Sequence, residues 1–427
     1  SGAGAVASLA GCLGSRFGTS DRTIDADALA EVVSGDAPTV PETLPVDIRP
    51  SFIDRQRSIA ESDLSAVPAP FDRGEVPNGV IRTRLNDAFE SATDSIDRID
   101  EAETPYTRLT RANTARSRAH YVWAAWQAIT GSLSREDLDG AIPAIEDAIA
   151  EFTARWSYVG DDPVRAVVVH HEIETEIRGA RNWITSRGRR PPRNSGTALA
   201  VADRAEDNER ARTNVDVASY VFDRFDRLDE PTDQRSRFED VRERLRDRLR
   251  DQRASLPTRT VEDPTTLIDR DVGETAGVRA VADLGSEARY RTTAALEPDD
   301  SPSLARDIHG AANAVVYARA FDSLRARIEG GDDISVESAA DVAALRTAAI
   351  DAVETARDTD RGTPLVRAML PRYTSGMART DTRLERQSGD VSVQSIAVDA
   401  IEYVVAAAIC RALVPVCETA GTLLLDS

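Results

Sequence analysis

Apolar residues in this chain return every third or fourth position over most of its length. Ile81, Leu85, Ala88, Ala92, Ile96 and Ile99 form one stripe and predict a helix starting just after Pro77. Thr104-Pro105 reads as an N-cap followed by proline at the first helical position, opening a helix through about Ile129. Ser134-Arg135-Glu136-Asp137 resembles a capping box with Asp in place of the usual Glu. The helix after it carries Leu138, Ile142, Ile145, Ile149, Phe152 and Trp156 on one face. Asp162-Pro163 opens a fourth helix to about Thr185. No alternating run bounded by turns predicts a strand.

Residues 186–195 read as a loop. A long charged helix then runs to about Leu228, a turn covers Asp229 to Asp233, and a second helix reaches about Arg253. Val221, Phe225 and Leu228 can face Val241, Leu245 and Leu249 across a solvent-exposed antiparallel hairpin. Ser335 and Pro364 stand 201 residues after Ser134 and Pro163, a spacing that suggests a duplicated helical unit. Helices over 303–329 and 392–413 are apolar nearly all round and belong at the centre of a bundle. The predicted fold is all-α, a multi-helix bundle made of two related bundles with the hairpin inserted between them. Its expected divisions are a signal remnant at 1–12, a Pro-rich tether at 13–75, an N-terminal bundle at 76–190, the hairpin at 196–255 and a C-terminal bundle at 260–427.

Composition changes the picture. The 427 residues carry 73 Asp plus Glu against 53 basic residues, a net charge of −20, and every basic residue is arginine. An acidic, lysine-free chain resembles a protein of an extreme halophile, whose salt screens self-repulsion within about 3 Å. Such a charge argues against a nucleic-acid partner, which needs a basic stripe. The apolar stretch from Ile396 to Leu425 is interrupted by Asp399, Glu402, Arg411 and Glu418, so it reads as a buried helix and not a membrane span. Cys410 and Cys417 lie too far apart to bridge along a straight helix, about 10 Å. Pro415 between them can break the helix, so a disulfide stays open as an alternative to two free thiols.

Near the start, Leu9-Ala10-Gly11-Cys12 follows an uncharged run of small residues. This resembles the lipobox of prokaryotic lipoproteins and, with the lysine-free acidity, a haloarchaeal secreted lipoprotein. The resemblance covers the first twelve residues and the composition. It implies export, by the twin-arginine route, from a signal peptide of which only the end is present. It also implies a lipid on Cys12 and a location on the extracellular face of the cell membrane.

Candidate chemistry is concentrated. All four tryptophans and three of the four histidines fall between His120 and Trp183, among them Trp123, Trp126, Trp156, Tyr158, His170 and His171. Such a set is either a core rich in large side chains or the wall of a small-ligand pocket. His170 and Glu174 share one face of their helix, while Glu172 and Glu176 point away. The pair can ligate a metal, pass a proton, or form a plain buried hydrogen bond. A metal would need a third ligand such as His120 or His309. The arginines from Arg178 and Arg181 through Arg187, Arg189, Arg190 and Arg193 form the one basic patch. It suits an acidic headgroup or partner, or it is a solvated loop paired with nearby carboxylates. No nucleophile elbow, phosphate loop or dinucleotide fingerprint occurs, which weakens an enzymatic reading, and no cofactor is expected. Two functions follow. One is a non-enzymatic, lipid-anchored interaction protein that uses the hairpin against an envelope partner. The other is a lipid-anchored binder of a small ligand or metal at 120–183.

Overall fold

Most helix starts follow the caps visible in the sequence. In a computed structural model, residues 22–185, 198–227, 231–258, 261–297 and 303–426 are described. A strand β1 (Thr23–Asp25) leads into α1 (Ala26–Val32), whose N-cap is Asp25, and then α2 (Pro50–Ser65). Asn78 caps α3 (Gly79–Asp97), and Thr104 caps α4 (Pro105–Ile129). The Ser134/Asp137 capping box forms as expected and starts α5 (Arg135–Gly140). The single helix expected there is two, because α6 (Ile142–Arg155) restarts with Pro143 in its first turn. Next come β2 (Val159–Gly160), α7 (Pro163–Thr185) and α8 (Ala198–Phe225).

The second half holds β3 (Thr232–Asp233), α9 (Arg235–Gln252), α10 (Ala276–Leu296), α11 (Leu304–Glu329) and α12 (Ala339–Arg357). It ends with α13 (Thr363–Met369), α14 (Pro371–Glu385), β4 (Asp390–Ser392) and α15 (Val393–Asp426). The strands, which no alternating pattern announced, form two short antiparallel pairs, β1 with β4 and β2 with β3. At two or three residues each they are too short to show alternation.

The architecture is all-α, in two helical bundles whose packing order repeats. In the first unit α2 and α3 pack on α4, α4 packs on α8, and α6 and α7 flank α8. In the second α9 and α10 pack on α11, α11 packs on α15, and α12 and α14 flank α15. Of the two landmarks expected from spacing, Pro364 does stand in the first turn of a helix, α13, as Pro163 does in α7. The counterpart of Ser134 is Ser338, whose hydroxyl forms the same capping box with Asp341, and Ser335 starts no helix.

The hairpin is not an exposed insertion. Its two helices divide between the bundles: α8 is the centre of the first, against α4 and α7, and α9 lies on α11 in the second. Val221, Phe225, Val241, Leu245 and Leu249 are all buried. The expected stripe was real, and each half of it met a bundle instead of the other half. Leu228 lies outside the described residues.

The tether also needs correction. From residue 22 onward the segment is part of the body: Leu29, Phe52, Ile53, Ala60 and Phe71 are buried, and Thr23 pairs with Ser392. Its prolines shape turns between packed pieces, which hid the apolar positions in the sequence.

The long apolar α15 could cross a membrane by length and composition, but most of its apolar window is buried among the other helices. It runs unbroken through Pro415, so Cys410 and Cys417 are both free and buried. Gly362, at φ +59°, starts α13 where a Cβ would come 2.9 Å from the Cys417 and Glu418 backbone. The units meet where α7 packs against α11, α13 and α15.

Candidate functional site

Helix α7 brings two kinds of polar residue to this joint. On its inner face His170 is fully buried. The Trp156 Nε1–H donates to His170 Nδ1 at 3.1 Å, which places the ring proton on Nε2, 2.8 Å from the Val159 carbonyl it donates to. Both nitrogens are committed, and no lone pair remains for a metal. Burial lowers the His170 pKa to about 4, with the Val159 bond acting in the opposite sense, so the ring is neutral.

Glu174, one turn on, reaches into the other unit. Helix α11 has no side-chain bond from its own N-cap, Ser303. Instead the Tyr158 hydroxyl accepts from the Leu304 amide at 3.2 Å. Glu174 accepts from the Ala305 and Arg306 amides at 3.3 and 2.6 Å, and from the Tyr158 O–H at 2.5 Å. One unit thus caps a helix of the other, satisfying three of the amides that a helix start leaves open. Burial raises the Glu174 pKa to about 7 against these hydrogen bonds.

Beside this cap, His171 of α7 stacks on His309 of α11 with ring centroids 3.9 Å apart. Burial, then Arg306 and Arg372, lowers His171 to about 4. Burial, then His171 and Arg372, lowers His309 well below the usual range. Glu172, which the sequence sent away from the site, accepts the Tyr106 O–H at 2.7 Å and shares a hydrogen bond with Glu176. Two carboxyls can share a bond only if one holds a proton, and burial raises both pKa values.

The structure does not bring the whole aromatic cluster together. His120 Nδ1 lies 2.9 Å from Asp63 Oδ2 and the ring stacks on Trp123; Trp126 meets Phe71. These contacts lie around α2 and α4, away from the joint. Among the described residues no group of three or more His, Cys, Asp or Glu side chains could hold a metal. Cys12 and the arginines at 187–193 lie outside the described residues.

Arg178 and Arg181, the start of the basic patch, open onto a cleft of about 440 Å³. They continue the stripe of Glu174 and Ile177 along α7. Across from them stand Arg235 at the start of α9, and Ser303 and Arg306 at the start of α11; Trp156 and Tyr158 also line the hollow. Arg235 lies over the Tyr158 ring at 5.1 Å, and Arg181 approaches the Thr153 hydroxyl at 3.4 Å. Four arginines thus line a hollow in which, among the described residues, the one lining acid is the buried Glu174. A second hollow of about 440 Å³ shares the wall made by Arg178 and Arg306. The sequence reading missed Arg235 and Arg306, because only the packing of the second unit carries them to α7.

The fold and the cleft together define a tandem of two helical units with a cationic hollow at their joint. Residues 51–230 match a family model described as Domain of unknown function (DUF8262), and residues 235–421 match one described as Domain of unknown function (DUF8264). The border between the matches falls between α8 and α9, where the packing divides. Neither curated proteins nor solved structures give a match.

Proposed function

We propose that this chain is an extracytoplasmic binding protein, carried on a lipid at Cys12, that holds a small anionic ligand in the cleft between its two units. The observation that carries the binding reading is the lining of the cleft: four arginines against one buried carboxyl, in a chain of net charge −20. The guanidinium fork suits carboxylate and phosphate, so four of them on the wall of one hollow favour a ligand's negative charge. Trp156 and Tyr158 add apolar surface beside the charges, the usual make-up of a small-ligand pocket. The lipid anchor and the halophilic setting rest on Leu9-Ala10-Gly11-Cys12 and the lysine-free composition.

The hairpin-docking reading, the first of the two drawn from the sequence, has lost its carrier, since the apolar residues it needed are buried. The test is a thermal-shift panel of phosphate, citrate and glucuronate in concentrated potassium chloride. At least one anion should raise the melting temperature of the wild-type chain and leave an Arg178→Gln/Arg181→Gln variant unmoved. Equal responses in both proteins would refute the cleft. Intact mass of protein taken from its own membranes checks the anchor: a lipid-sized increment on Cys12 supports it, and an unmodified N-terminus sinks it.

A further inference from the structure

We infer that residues 22–49 are a releasable strap that locks the two units together, and that the 22–35 end is the part that lets go. This segment lies on the second unit before the chain builds the first. Strand β1 pairs with β4, α1 packs on α12 and α14, and Ile24, Ala26 and Leu29 are buried there. The Ala26 amide donates to the Gly389 carbonyl at 3.0 Å, and the Val393 amide donates to the Arg22 carbonyl at 3.0 Å. The guanidinium of Arg346 on α12 closes this end: Asp381 holds it at 2.9 Å, and it also donates to the Gly35 carbonyl. The stretch that follows is pinned to the first unit. The Thr104 hydroxyl donates to the Glu42 carbonyl at 2.6 Å, Arg165 donates to the Pro45 carbonyl at 2.9 Å, and the Arg49 amide donates to the Tyr220 hydroxyl at 2.7 Å. Arg224 pairs with Asp47.

The two ends are held unequally. On the first unit the strap runs into α2, which packs on α4 and buries Phe52, Ile53, Gln56, Ala60 and Leu64. On the second unit it consists of a three-residue strand and a seven-residue helix. A helix this short, or an isolated pair of strands, does not hold itself together in water. Residues 22–35 therefore keep their shape only while docked, and they open before the rest of the molecule. Between the ends, residues 36–41 belong to no helix or strand and carry Pro38 and Pro41, a semi-rigid spacer. The units are also joined in sequence between α8 and α9, so the docked strap is a second tie. A second tie raises the effective concentration of each unit at the other's docking face. The joint gains from that help, because it buries the His171/His309 stack and the Glu174 carboxyl, groups that give up water to dock. Since the cleft has α7 on one side and the starts of α9 and α11 on the other, the strap also sets how freely its walls part.

The experiment is hydrogen exchange on the full chain, read at the amides of residues 304–306, which Tyr158 and Glu174 of the first unit cap. Wild type is compared with Leu29→Ala and with a chain that carries a protease recognition sequence between Asp36 and Pro41 and has been cut there. Both altered chains should exchange these amides about tenfold faster than wild type, while amides in the middle of α4 and α15 keep their wild-type rates. The same insertion left uncut should behave as wild type. Wild-type exchange at 304–306 in either altered chain would overturn the inference. So would faster exchange throughout the molecule, which would make the segment one folding unit with the rest and not a strap. Neither result bears on the anion reading, which is tested by adding ligand.

Discussion

The ionic cluster inside the first unit and the cleft between the units use arginine to opposite ends. Inside, Arg116 meets Glu209 at 2.6 Å, with both side chains 7% exposed, and also reaches Gln56 and Asp216. Charge is balanced there, and the cluster ties α2, α4 and α8 together. In the cleft, Arg178, Arg181, Arg235 and Arg306 line a solvated hollow together with Glu174, whose carboxyl caps α11. A buried charge must be paired to be tolerated. An arginine on the rim of a solvated hollow carries no such requirement, and its outer N–H groups can also meet a ligand. The contrast separates residues that hold the fold from residues that recognise something.

That separation can be broken at several points. The largest effect should come from Glu209→Ala, which removes the buried carboxylate of Arg116 and leaves it Gln56 and the half-exposed Asp216. It should cost about 3–5 kcal/mol in denaturant unfolding, with anion binding by the folded fraction retained. His170→Ala comes next, leaving the Trp156 indole N–H and the Val159 carbonyl unpartnered beside a new cavity. A loss of about 3 kcal/mol is expected by the same measurement. Arg178→Gln with Arg181→Gln should change stability by less than about 0.5 kcal/mol. The same double variant should weaken glucuronate binding about tenfold, the yield of one charge-assisted hydrogen bond. If it unfolds the protein, the contrast between interior and cleft is wrong.

The smallest effect is a pH dependence. Glu174 has its folded pKa raised to about 7, above its unfolded value, so its neutral form favours folding at low pH and that contribution is lost as pH rises through 7. In the cleft the same titration adds a negative charge beside the ligand. Anion affinity should therefore fall about threefold between about pH 6 and about pH 8, the size of one charge acting over several ångströms in water. Glu174→Gln should flatten this slope in a binding titration repeated across the range.

Much of the fold was legible because helix caps are local. Thr104-Pro105, the Ser134/Asp137 box and Asp162-Pro163 mark starts that the chain honours, and the all-round apolar α11 and α15 announced themselves as central. Partners were not legible. The stripe Val221–Phe225 is as apolar facing α4 and α7 as it would be facing α9, and periodicity cannot say which neighbour covers it. Pro-rich composition masked Phe52, Ile53 and Phe71 as core residues for a similar reason. Of the candidate site, the α7 wall could be read from the spacing of Glu174, Arg178 and Arg181. The opposite wall could not, since Arg235 and Arg306 stand in the next unit and neither carries a local motif. His170 stood out correctly as buried and polar; its two hydrogen bonds explain it as part of the frame.

The most direct test of the account is a calorimetric titration of the full chain with glucuronate, for wild type and for Arg178→Gln/Arg181→Gln, in concentrated potassium chloride at about pH 6. The account predicts one saturable site in the wild type and about tenfold weaker binding in the variant, at equal stability. Binding of the same strength in both proteins would contradict it.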